Sequence, residues 1–75
     1  IRVLRDGFVS MDMAQNILVI KTVSGMAMAV AAEVDAMKMR EIVGSIAGDD
    51  TIMMAVRTVE DTKTVMDKIQ KMLEL

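Results

Sequence analysis

The sequence predicts an α+β fold: a two-layer sandwich in the order strand, strand, helix, strand, strand, helix, with one antiparallel or mixed sheet covered by two helices. Three observations carry this. Two pairs of short apolar runs are each joined by a few turn-forming residues, the pattern of hairpins. A Met- and Ala-rich stretch of strong helix formers separates the pairs, and the C-terminal stretch repeats apolar residues at helical spacing.

The chain starts at Ile1 and enters structure almost at once, as a single domain (residues 1–75) within a longer protein would. From Phe8 to Met13, Val9, Met11 and Met13 alternate with Ser10 and Asp12, the period of a half-buried strand. Ala14-Gln15-Asn16 reads as a turn, and Ile17-Leu18-Val19-Ile20 as a central strand covered on both faces. Ser24 is placed to cap a helix running from Met26 to about Met39. Only Glu33, Asp35 and Lys38 interrupt its apolar surface, so a second subunit is expected against it. Residues 42–47 and 51–56 form the second hairpin around Gly48-Asp49-Asp50. Thr58, with Asp61 three residues on, opens a surface helix. That helix carries Val65, Met66, Ile69, Met72 and Leu73 on one side and Asp67, Lys68, Lys71 and Glu74 on the other.

Composition excludes several functions. With no Cys and no His, the chain has no thiolate or imidazole metal site, disulfide, Cys nucleophile or Ser-His-Asp triad. Phe8 is the one aromatic residue and the net charge is −2, a poor match to nucleic-acid stacking or phosphate tracking. Hydrophobic residues make up 53% of 75 residues, yet the longest apolar run, Met26 to Ala32, is far below the ~20 residues of a membrane span. With no disulfide or metal to staple so small a core, burial between subunits is the expected use of that excess. A cysteine-free domain of this size fits a reducing, cytoplasmic compartment.

The concentrated polar feature is Gly48-Asp49-Asp50. Turn chemistry alone accounts for it, since Gly and Asp favour hairpin tips. Two functional readings compete: adjacent carboxylates could hold a divalent metal, given further oxygen ligands, or accept the donor fork of a guanidinium.

The run Val43-Gly44-Ser45-Ile46-Ala47-Gly48-Asp49-Asp50-Thr51-Ile52 resembles the signature of the C-terminal domain of bacterial arginine repressors. The likeness extends through Lys21-Thr22, Gly25, Ala27, Asp35 and the element order, covering nearly the whole chain. It implies an arginine-sensing, oligomerising, non-enzymatic domain with no cofactor, preceded by a winged helix-turn-helix half that makes the DNA contacts. It further implies trimers that stack in pairs as a hexamer, with L-arginine between them. Carried over by position, Asp49 and Asp50 grip the guanidinium and Asp35 lies near the α-amino group. The backbone around Ser45 and Ala47, with Gly25 and Met26, lines the rest. Many members carry a Gln where this chain has Met28. A thioether donates no hydrogen bond, so an uncompensated loss there would weaken binding by roughly 1.5–3 kcal/mol. Ser45, where Thr is common, keeps the hydroxyl.

Electrostatics agrees with this reading. Copies of Asp49 and Asp50 gathered at a partly dehydrated interface repel one another, and a bound cation removes the repulsion. A ligand bridging two trimers stabilises their assembly by linkage. Other readings are a small-ligand regulatory module of a metabolic enzyme, a domain that oligomerises without responding to arginine, and a metal-binding hairpin. The pterin dehydratases share a similar topology but depend on histidines.

Overall fold

The alternating and β-branched runs pair in the computed structural model, which describes residues 2–74. In order these form α1 (Arg2–Gly7), β1 (Phe8–Ala14), β2 (Ile17–Thr22), α2 (Ala27–Ala36), β3 (Ile42–Ala47), β4 (Thr51–Val56) and α3 (Val59–Leu73). The strands make one antiparallel sheet in the order β1-β2-β4-β3. The two hairpins are therefore joined through β2 and β4, with Leu18 opposite Met54 and Ile20 opposite Ile52.

Period two sorts the sheet's residues by face. Leu18, Ile20, Ile52, Met54 and Val56 point to the helical layer and are buried against Ala27, Val30, Ala31 and Val34 of α2, Val65 and Ile69 of α3, and Leu4 of α1. Among the described residues no helix lies over the other face. There Ile17 and Val19 are half-buried, while Ile46 and Met53 are 81% and 53% exposed. The expectation that β2 is covered on both faces thus holds within one chain for only one face, because all the helices packed on the sheet lie on the same side.

Three local features differ from the sequence reading. Arg2–Gly7 is a helix, absent from the expected order; the backbone N–H of Leu4 in its first turn donates to Glu33 Oε1 at 2.7 Å, a tertiary contact that no local pattern announces. Ser24 does not cap α2. The helix starts at Ala27, with Met26 at the N-cap position and no side-chain bond there. It ends at Ala36 rather than near Met39, because Lys38 turns into the left-handed region at φ 56°.

Helix α3 follows its pattern. Thr58 Oγ1 accepts the Asp61 N–H at 2.9 Å, and Val65 and Ile69 are fully buried. Lys68 pairs with Glu41 at 2.9 Å, which holds the Glu41 carboxyl below its ordinary 4.5.

Candidate functional site

The turn between β3 and β4 is closed by a Gly48 N–H to Thr51 carbonyl bond of 2.9 Å and then used as an anchor. The Asp49 carbonyl accepts the N–H groups of both Gly25 and Ala27 at 3.1 Å, and the Asp50 carbonyl accepts the Thr22 N–H at 2.8 Å. Five main-chain groups thus tie the acidic turn to the end of β2 and the start of α2. Gly25 makes this possible: at φ +82° it holds a conformation that a side chain would strain. The N–H of Ala27, an orphan at the first turn of a helix, is satisfied by a carbonyl, and this is why no Ser24 cap is needed.

Side chains then fix the carboxylates. Ser24 Oγ donates to Asp49 Oδ2 at 3.0 Å, and Thr51 Oγ1 donates to Asp50 Oδ1 at 2.9 Å. Lys21, opposite Thr51 in the β2–β4 register, donates from Nζ to Thr51 Oγ1 at 3.0 Å. Among the described residues neither Asp49 Oδ1 nor Asp50 Oδ2 receives a donor, and neither aspartate has an ion-pair partner. Both are exposed, side by side at the N-terminal end of α2, where the helix dipole favours negative charge. The arrangement suits a cation with several donors.

The remaining candidates are spread over α2 and the edge strand β3. Met28 stands in the first turn of α2, 70% exposed, beside the acidic turn. Ser45 and Ala47 are half-buried on the helix-facing side of β3, opposite Met54 and Ile52. Asp35 is at the other end. It shares the exposed face of α2 with Met28 and lines an open cleft of about 320 Å³ with Val34, Lys38, Met39, Ile42, Val43 and Gly44. Eight residues of helix put it roughly 12 Å along the axis from Ala27. The subunit therefore brings Asp49, Asp50 and Gly25 together and leaves Asp35 apart.

Sequence reasoning gave Lys21, Thr51 and Ser24 no part as partners of the aspartates. The signal for Lys21 and Thr51 is their cross-strand register, which exists only once β2 is known to pair with β4. Among the described residues no group of three or more Asp and Glu gathers to hold a metal, so the turn gains no further carboxylate ligands for a divalent ion. No helix of the described residues is long and apolar enough to cross a membrane.

Fold and turn together define a small α+β domain with an acidic, donor-seeking tip and an uncovered apolar sheet face. Residues 4–71 match the family model described as the arginine repressor, C-terminal domain. The chain is 70% identical to the arginine repressor of Lachnoclostridium phytofermentans over 97% of its own length and 48% of that protein. It is 72% identical to the arginine repressor of Lachnospira eligens over 96% of its length and 48% of that protein. With that of Bacillus pumilus it shares 46% identity over 96% and 48%. The chain belongs to the arginine repressor C-terminal domain family, and it spans about half the length of the curated relatives it matches.

Proposed function

We propose that the chain is the effector-binding and hexamerisation domain of an arginine-responsive transcriptional regulator in the cytoplasm, binding L-arginine between two trimers. DNA contacts fall to a winged helix-turn-helix half outside it. The observation that carries the proposal is the pair of exposed carboxylates on a turn tied through main-chain bonds to the start of α2, each with one oxygen free of donors among the described residues. A guanidinium offers a planar fork of donors matched to such oxygens. In the same reading, Asp35 reaches the ligand's α-amino group from another subunit, since within one subunit the length of α2 intervenes. Ser45, Ala47, Gly25 and Met28 line the space between. The uncovered sheet face and the Ala- and Met-rich exposed face of α2 supply the apolar surface that subunits bury.

Assembly is then the output. A ligand that contacts two trimers binds the hexamer better than separate trimers and stabilises it by linkage. Light scattering behind size exclusion at low micromolar protein, with and without millimolar L-arginine, tests this, with lysine and citrulline as controls. The expected result is a hexamer that resists dilution only with arginine. Asp50→Asn is expected to keep the trimer and lose that response. A hexamer indifferent to arginine would leave oligomerisation as the function, with Met28, unable to donate where the ligand needs a donor, as the reason.

A further inference from the structure

We infer that Thr51 and Ser24 are positioning residues that set the acidic turn's selectivity for a planar guanidinium over an ammonium; the inference rests on the arginine reading of that turn. The case is one of hydrogen-bond direction. Lysine's ammonium has three donors and no acceptor, so Lys21 Nζ, 3.0 Å from Thr51 Oγ1, occupies a lone pair of that hydroxyl. The single hydroxyl hydrogen of Thr51 is thereby committed to Asp50 Oδ1, 2.9 Å away. Asp50 cannot spin freely about its terminal torsion, which is otherwise broad. Ser24 does the same for Asp49, through Oδ2 at 3.0 Å.

Among the described residues each carboxylate is left with one oxygen, Asp49 Oδ1 and Asp50 Oδ2, free of internal donors and held in direction by the bond to its other oxygen. A guanidinium presents its N–H groups in a rigid plane and gains from acceptors already held in place, because little ordering remains to be done on binding. An ammonium is a compact charge with rotatable donors. It gains less from fixed acceptors and tolerates carboxylates that swing to meet it. The Lys21-Thr51-Asp50 chain and the Ser24-Asp49 bond thus favour one cation shape over another without touching the ligand. Lys21 also places positive charge one hydroxyl away from Asp50, which disfavours a loosely held cation that cannot replace the lost attraction with directed bonds.

Isothermal titration of the intact protein with L-arginine and L-lysine tests the inference, using Thr51→Val, Thr51→Ser, Ser24→Ala, Ser24→Thr and Asp50→Asn. Thr51→Val preserves shape and removes the hydroxyl. It is expected to weaken arginine binding about tenfold and to lower the arginine-over-lysine preference by a similar factor, the loss of a hydrogen bond to a charged group. Thr51→Ser restores both. Ser24 is exposed, so Ser24→Ala folds whatever becomes of Thr51→Val; it is expected to lower the same preference several-fold, with recovery in Ser24→Thr. The inference is overturned if Thr51→Val and Ser24→Ala keep parental affinity and preference while Asp50→Asn loses binding, an outcome that leaves the arginine reading standing. Parental arginine affinity in Asp50→Asn overturns the arginine reading itself, and the positioning role with it.

Discussion

Helices α2 and α3 lie on the same sheet and are built on opposite principles. Helix α3 is amphipathic: Thr62, Val65 and Ile69 are buried, charged residues face water, and Thr58 caps it locally. Its start is determined by residues within four positions of one another. Helix α2 buries Ala27, Val30, Ala31 and Val34, yet its exposed face is Met28, Ala29, Ala32, Asp35 and Ala36. The Ala27 N–H that opens it is satisfied by the carbonyl of Asp49, more than twenty positions along the chain. A helix that caps itself can be a passive wall. One capped by a turn from another hairpin moves with that turn, so whatever binds the turn acts on the helix.

The comparison can be broken at several points. The largest effect is expected from the core both helices share. Ile69→Ala in α3 removes a fully buried side chain and should destabilise the protein by about 2–5 kcal/mol in urea unfolding. Gly7→Ala tests the other flank of α2. The added Cβ would come within 2.9 Å of Val30 Cγ2, and overpacking of this kind costs roughly 1–3 kcal/mol, read as a lowered urea midpoint. The two helix starts separate cleanly under alanine substitution. Thr58→Ala should cost about 1 kcal/mol, the usual loss of an N-cap. Ser24→Ala should stay within about 0.5 kcal/mol of the parent, because Ser24 caps nothing; an equal loss from both would restore Ser24 as a cap.

The smallest effect is a matter of pH. Glu41, on the loop after α2, is tied to α3 through Lys68, and its carboxyl is held below 4.5 chiefly by that hydrogen bond. A carboxyl lowered in the folded state contributes stability that is present above 4.5 and lost as pH falls through its depressed value. Acid titration followed by circular dichroism should show a shallower loss of stability below pH 4.5 in Glu41→Gln than in the parent. The parental slope retained in that variant would assign the acid limb to other groups.

Legibility followed the range of the interactions. The two hairpins, the Thr58 start of α3 and its buried stripe were readable because each depends on neighbours in sequence or on a fixed period. The C-terminal limit of α2 was missed because the left-handed turn at Lys38 has no Gly or Asn to announce it. Helix α1 was missed because its first turn leans on Glu33 rather than on its own sequence. At the turn, Asp49 and Asp50 stood out by residue type alone. Their partners Ser24, Thr51 and Lys21 did not, since a hydroxyl or an ammonium at a strand end carries no meaning until the strand across from it is known.

By itself the sequence determined the layers, the hairpins, the apolar excess that calls for subunit burial and the acidic tip, because these follow from residue type and spacing. The tertiary structure alone decided that β2 pairs with β4, that the Asp49 carbonyl starts α2, and that Asp35 stands at the far end of that helix from the aspartates of its own subunit. Those outcomes depend on main-chain groups and strand order, and every residue has the same main chain.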